Sequence, residues 1–367
     1  MAAQETVLQI DLNALAHNYN YLRSLLKTET KLLAVVKAFG YGSDSVEIAK
    51  FLETLGVDYF AVAYTNEGVA LRNAGIETPI LVLHPQAVNF KTIIDRCLEP
   101  SLYSARILNR FIDAAAQQNQ KNYPVHIKFN TGLNRLGFWE NDVDYIIDRL
   151  KKAPELQVKS VFSHLAASED ENEQEFTLGQ ITSFKKIANE IAEKLGYQPM
   201  MHQLNSSGLL NYPDAQFDMV RCGIALYGYG NDPKYTGKLK PVASLRSVIS
   251  QIHMIEPGET VGYNRAYVSK GYEKTATIPI GHADGISRSF GNERGFVMIN
   301  KKKAPIIGNV CMDMIMVNIT NIDCREGDEV VLFDENYTAE DMAPLANTIS
   351  YELLTAVSQR VKRTFLR

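Results

Sequence analysis

Cysteine is scarce. Four occur in 367 residues, Cys97, Cys222, Cys311 and Cys324, with no C-x-x-C pair among them. That excludes a disulfide scaffold and a cysteine zinc site, and it suits a reducing compartment. The seven histidines show no metal-ligand spacing, so no metal is expected. There is no basic excess: 38 Lys and Arg against 42 Asp and Glu give a formal charge of −4, which argues against a nucleic-acid binder. The run Lys301-Lys302-Lys303 reads as a solvated hairpin tip. No apolar stretch reaches membrane-spanning length. The start, Met1-Ala2-Ala3-Gln4-Glu5, lacks the basic and apolar segments of a secretion signal, so a cytoplasmic location is expected. No internal repeat or low-complexity tract interrupts the chain.

What remains is an ordinary globular composition, 46% hydrophobic and 22% charged, in a chain long enough for two domains. Up to about residue 230, short apolar runs alternate with longer amphipathic stretches. The runs predict strands at Leu32–Val36, Tyr59–Ala63, Ile80–Leu83, Glu99–Leu102, Val125–Phe129, Val158–Ser163, Met201–Asn205 and Phe217–Val220. Ala14–Lys27, Val46–Leu55 and Ile181–Leu195 read as helices among them. Eight such units match a (β/α)₈ barrel, although a doubly wound sheet shares the periodicity. After Pro241 the texture changes. Leu245–Ile255, Thr275–Ile280, Phe296–Ile299, Ala304–Ile307, Ile315–Ile319 and Glu329–Phe333 are punctuated by Gly, Pro, Asn and Asp, with little helix before Glu340. These predict a barrel over 1–238 and a β-rich domain over 239–367.

Lys37 stands out. It closes the apolar run Leu32-Leu33-Ala34-Val35-Val36 and precedes Ala38-Phe39-Gly40-Tyr41-Gly42, the pattern of a buried parallel strand ending in a glycine-rich turn. An ammonium there is costly to desolvate unless bonded. It could form a Schiff base with an aldehyde cofactor, or simply snorkel at the strand end.

Lys37 with Tyr41-Gly42 resembles the cofactor-lysine motif of the alanine racemase family, which binds pyridoxal 5'-phosphate. Further segments match in order: Asn130 to Gly137 (NTGLNRLG), Ser163-His164, His202 with Asn205-Ser206, Asp218 to Gly228 (DMVRCGIALYG), Val261-Gly262-Tyr263, Gly308 to Asp313 (GNVCMD) and Ile349 to Glu352 (ISYE). Lys37, Arg135, His164, Asn205 and Arg221 then all fall at or just after predicted strand ends, where barrel enzymes carry their chemistry.

The resemblance implies two bases, Lys37 on one face of the substrate's α-carbon and Tyr263 on the other. A free tyrosine, with a pKa near ~10, is a poor base at neutral pH. His164, backed by Arg221, is implied as the neighbour that activates it. Alone, Tyr263 would read as a sheet-packing residue. The phosphate would be held by Ser206, by backbone N–H groups around Gly223 and Ile224, and by Tyr41 and Tyr351, with Asn205 alongside. The alternative reading of Ser206 is a helix N-cap, and it could fill both roles. Arg221 is implied as the partner of the pyridine nitrogen. An arginine stays protonated and so leaves that nitrogen unprotonated. His202 would help hold Arg221, or serve as a buried structural histidine.

Arg135 is implied for the cofactor's phenolic oxygen and, with the Met312 backbone N–H, for the substrate carboxylate, Cys311 for the pocket wall and Asp313 for ordering its loop. Lys128 matches a lysine that many members carry as a carbamate, an anion that would orient Arg135. Members are homodimers in which the second domain of one subunit completes the barrel-mouth site of the other.

Three positions depart from the family pattern. Phe39 replaces a polar residue, Asn130 an aspartate, and His282 a tyrosine that narrows the substrate entrance. A histidine there can titrate near neutral pH. The expected activity is interconversion of L- and D-alanine, supplying D-alanine for peptidoglycan. Alternatives are a racemase of the same fold acting on serine or larger side chains, a related decarboxylase, and a cofactor-binding protein without turnover. A decarboxylase would carry an acid in place of Arg221. The cofactor binder would lack the second domain.

Overall fold

The computed structural model describes residues 4–235 and 237–367. A first strand, β1 (Val7–Asp11), precedes the barrel strands β2 (Lys31–Val35), β3 (Tyr59–Val62), β4 (Ile80–Val82), β5 (Glu99–Leu102), β6 (Tyr123–Lys128), β7 (Leu156–Phe162), β8 (Met200–His202) and β9 (Met219–Cys222). Parallel ladders join β2 through β8 in sequence and return β9 to β2. The last gap is bridged by two backbone bonds. Asp218 N–H donates to the Met201 carbonyl at 3.0 Å and Arg221 N–H to the Leu204 carbonyl at 3.1 Å. The eight strands therefore form a (β/α)₈ barrel rather than a doubly wound sheet.

The strands are apolar because both of their faces are covered. Leu32, Leu33, Ala34 and Val36 are fully buried, as are Ile80, Leu81 and Val82. The helices outside bury one stripe each. In Ala105–Gln117 the buried residues are Ile107, Leu108, Phe111 and Ala115, and Ser104 Oγ caps the helix by accepting from Ile107 N–H.

The remaining strands are β10 (Ala243–Val248), β11 (Gln251–Ile255), β12 (Thr260–Val261), β13 (Tyr267–Val268), β14 (Glu273–Ile278), β15 (Phe296–Ile299), β16 (Lys302–Ile307), β17 (Ile315–Asn318), β18 (Glu329–Phe333) and β19 (Lys362–Leu366). Apart from the small pair β12–β13, these eight strands and β1 form a nine-stranded sheet in the order β11-β14-β17-β16-β15-β18-β10-β1-β19.

Three sequence expectations change here. The segment Leu245–Ile255 is two strands, because Ile249 and Ser250 turn away to bond Asp328, Gly327 and Thr277. The eighth barrel strand begins at Met219 rather than Phe217, whose φ of 50° lies outside the strand region. The start of the span 1–238 does not belong to the barrel. β1 lies inside the second sheet, antiparallel to β10 and parallel to β19. Its alternation Val7-Leu8-Gln9-Ile10 is too short to reveal which sheet it joins.

Candidate active site

The turn after β2 sets the position of Lys37. Residues 38 to 42 all lie in the left-handed region, with φ of 53° at Ala38, 54° at Phe39, 62° at Gly40, 51° at Tyr41 and 84° at Gly42. Such backbone costs an L-residue about 1–2 kcal/mol, so a run holding three non-glycine residues must be held from outside. Glu67 Oε1 accepts from Ala38 N–H at 2.6 Å, and its Oε2 from Ala63 N–H at 2.7 Å. Arg363 of β19 donates to the Gly42 carbonyl through Nε and Nη2 at 3.1 and 3.0 Å. A Cβ on Gly42 would lie 2.2 Å from the Leu354 carbonyl, which leaves room only for glycine. Tyr41 is buried and stacks on Tyr227 at 4.5 Å between centroids.

Above this turn opens a cavity of about 710 Å³ at the barrel mouth. Lys37, Lys128, Arg135, His164, Asn205, Ser206, Arg221, Gly223, Ile224, Tyr41 and Tyr351 line it, and among the described residues no carboxylate does. Four cationic side chains and no acid make a site for a polyanion. Burial, then Arg135, pulls the Lys37 pKa down, against a smaller opposing effect of Glu67. Burial, Arg135, Arg221 and Lys37 together pull that of Lys128 down to about 8.

Arg221 is the most constrained of the four. Nη1 donates to His202 Nδ1 at 2.6 Å and to the His202 carbonyl at 3.2 Å. Nη2 donates to the Ser163 carbonyl at 2.6 Å, the Gln203 carbonyl at 2.8 Å and His164 Nδ1 at 3.0 Å. None of these five bonds uses Nε. Burial and the guanidinium hold both His164 and His202 well below the usual histidine range. Both rings are therefore neutral and can accept from Arg221.

The opposite wall is a cradle of donors. Ser206 Oγ accepts from Gly223 N–H at 3.0 Å and Ala225 N–H at 3.3 Å, with the Ile224 N–H between them unused by Ser206. A Cβ on Gly223 would lie 2.3 Å from Tyr41 Oη. Tyr351 Oη accepts from Asn231 Nδ2 at 2.9 Å. Burial raises the pKa of both tyrosines, so their hydroxyls stay protonated. The helix N-cap, the alternative reading of Ser206, is Asn205, whose Oδ1 accepts from Gly208 N–H at 2.7 Å and Ser168 Oγ at 2.8 Å. That frees the Ser206 hydroxyl for the loop after β9.

Two of the three departures have a structural partner. Phe39 lies under the Arg363 guanidinium. Asn130 closes the turn before Arg135, its Oδ1 accepting from Gly132 and Asn134 N–H while its Nδ2 donates to Asn134 Oδ1 at 2.9 Å. A carboxylate could not make that last bond.

The other residues singled out in the sequence lie apart from this cavity. Tyr263 and Met312 do not line it, and they are 72% and 59% exposed on the second domain. They share a surface with Cys311, Asp313 and His282. Asn309 Nδ2 donates to the Tyr263 carbonyl at 3.1 Å, and His282 N–H to the Cys311 carbonyl at 2.9 Å. Arg360 ties Asp313 (2.6 Å) to the buried Asp284 (2.7 Å). Burial raises the pKa of Cys311, which keeps it a thiol rather than a nucleophile.

Two family models span nearly the whole chain, the alanine racemase N-terminal domain over residues 10–231 and its C-terminal domain over 242–365. The chain belongs to the alanine racemase family. The alanine racemase of Thermodesulfovibrio yellowstonii is 35% identical over 366 residues, covering 98% of this chain and 97% of that protein. Among solved structures, the alanine racemase of Clostridium difficile 630 superposes with a TM-score of 0.92 at 35% identity, covering 100% of this chain and 97% of that one. That of Bartonella henselae, solved with covalently bound pyridoxal phosphate, gives 0.90 at 30% identity, covering 99% and 100%.

A buried chain of polar residues in β5 to β8 was missed in the sequence: Glu99, His126 and Ser160, leading to His202. The available signal was a charged or polar side chain within strands that should be continuously apolar.

Proposed function

We propose that this protein interconverts L- and D-alanine with pyridoxal 5'-phosphate held on Lys37, acting in the cytoplasm as a homodimer and supplying D-alanine for peptidoglycan. The observation that carries the reading is the acid-free cavity. Lys37 stands at its floor, with a hydroxyl and N–H cradle on one side and a guanidinium of fixed orientation on the other. Ser206, Tyr41, Tyr351 and the Gly223-Ile224 backbone suit the phosphate, with Asn205 positioning Ser206. Arg221 Nε suits the pyridine nitrogen, and Arg135 the phenolic oxygen. When bound, the cofactor supplies a conjugated system that draws electron density from the substrate's α-carbon.

The protein's own groups do the rest. Lys37 Nζ, its pKa lowered by burial, takes or returns the α-proton on one face. Tyr263 Oη serves the other face. Since Tyr263 and Met312 stand exposed and away from their own subunit's cavity, they act on that of a second copy. There the partner's Tyr263 meets His164 and Arg221, and the partner's Met312 N–H meets the substrate carboxylate. Asp313, fixed by Arg360, holds that loop, with Cys311 in the pocket wall and His282 at the entrance. Lys128, whose pKa near 8 gives a substantial share of free amine at mildly alkaline pH, is carbamylated. The resulting anion offsets Arg135.

A coupled assay with L-alanine, D-alanine and L-serine tests the reading. Racemisation of both alanine enantiomers well above that of serine is expected. Preference for serine would transfer the assignment to the rival racemase, and no turnover with bound cofactor would leave a cofactor-binding protein.

A further inference from the structure

Arg221 is a fully buried cation with no carboxylate in ion-pair range among the described residues; only burial and Cys222 act on its pKa. An uncompensated buried charge is costly. A chain of hydrogen bonds leads from it to a carboxylate. His202 Nε2 is 2.8 Å from Ser160 Oγ, Ser160 Oγ is 2.6 Å from His126 Nδ1, and His126 Nε2 is 2.7 Å from Glu99 Oε2. The chain crosses five successive barrel strands from β5 to β9, and His126, Ser160 and His202 are wholly buried.

Its direction is forced from both ends. A guanidinium only donates, so His202 Nδ1 must accept and its proton must sit on Nε2. Ser160 Oγ then accepts from His202 and donates its own proton to His126 Nδ1. That places the His126 proton on Nε2, where it meets the carboxylate, an acceptor only. Within the chain His202, Ser160 and His126 each donate once and accept once, between a guanidinium that only donates and a carboxylate that only accepts, and each bond polarises the next. With both histidines neutral, a reversed link would set two donors face to face at Arg221 or two acceptors face to face at Glu99.

We propose that Glu99 is the counter-ion of Arg221, acting through His126, Ser160 and His202, and that these are positioning residues which fix the guanidinium as a donor to the cofactor. The idea rests on the reading of Arg221 given above, but its first test does not depend on that reading. In protein with ¹⁵N-labelled histidine and no cofactor, His126 and His202 should each be neutral with the proton on Nε2. Ser160→Ala and Glu99→Gln should each make His202 lose that single tautomer, while Ser160→Thr keeps it. A His202 tautomer unchanged in both disruptive variants would overturn the relay whatever the protein's activity.

The second test uses the loaded enzyme. Ser160→Ala and Glu99→Gln should each lower kcat by roughly tenfold, within the range for residues sharing one network. The double variant should be no worse than the poorer single one, because a broken relay cannot be broken again. Ser160→Thr should retain most of the activity. Additive losses, or loss of stability with kcat unchanged, would mean that the four residues merely fill the barrel. Should Glu99→Gln not fold, Ser160→Ala against Ser160→Thr decides the matter alone.

Discussion

Phe39 lies beneath the guanidinium of Arg363, 5.4 Å from ring centroid to Cζ. The same arginine donates to the carbonyls of Gly42, Val357, Ser358 and Val361. The last strand of the chain thus clamps the turn that presents Lys37, and the phenyl ring that departs from the family pattern forms part of the clamp. Arg363→Ala should destabilise the protein by about 2–3 kcal/mol, as expected for loss of several hydrogen bonds from a half-buried charged donor. It should also weaken cofactor retention, because a left-handed turn without its clamp relaxes. Denaturant unfolding and dialysis followed by the visible spectrum would check both. Unchanged retention would show that Glu67 holds the turn unaided.

Lys37→Ala should lose the visible absorption of bound pyridoxal phosphate and all racemisation. Borohydride treatment of the wild type followed by peptide mapping should fix the cofactor on Lys37. A label on Lys128, the other lysine lining the cavity, would move the assignment there.

Tyr263→Phe should abolish racemisation in both directions while leaving exchange of the α-proton of D-alanine with solvent. The subunit origin of the residue is separable. Lys37→Ala and Tyr263→Ala proteins, unfolded together and refolded as a mixture, should regain up to half of wild-type activity per mixed dimer. One site in such a dimer receives both native residues if the residues come from different subunits. If each subunit served itself, every site would carry a defect and no activity would return.

Lys128 offers a pH test. Its folded-state pKa of about 8 lies below the ordinary lysine value, so between about pH 8 and 10 the unfolded chain binds the extra proton. Stability from this group therefore rises with pH across that window and is lost as pH falls through 8. Carbon dioxide adds only to the free amine. Native mass spectrometry should show the added mass growing as pH passes through 8 in bicarbonate, and none in Lys128→Ala. A wild-type mass indifferent to bicarbonate would leave Lys128 an ordinary amine.

Much of this was legible because the barrel writes its chemistry at strand ends. Lys37, Lys128, His164 and Arg221 each follow or close an apolar run, and runs of that kind locate a strand end to within a residue or two. The interior relay was not legible. Glu99, His126 and Ser160 are far apart in sequence, and only the register of β5 against β6 and β7 brings them into line. Nor could the sequence assign the helix cap to Asn205 rather than Ser206, since both are good capping residues and the choice depends on what the loop after β9 needs. The place of β1 was hidden for the same reason, as its partners lie more than 230 residues away.

That distant pairing bears on how the molecule is made. β1 is made before any barrel strand, but its neighbours β10 and β19 follow only after the whole barrel. The barrel segments can therefore close on themselves while β1 is still an unsatisfied strand. The second sheet cannot be completed until β19 has been made, and the Lys37 clamp, carried on β19, arrives with it. A nascent chain arrested before residue 362 should thus hold a folded barrel whose Lys37 turn is still loose, and competence for the reaction should appear only once β19 is in place.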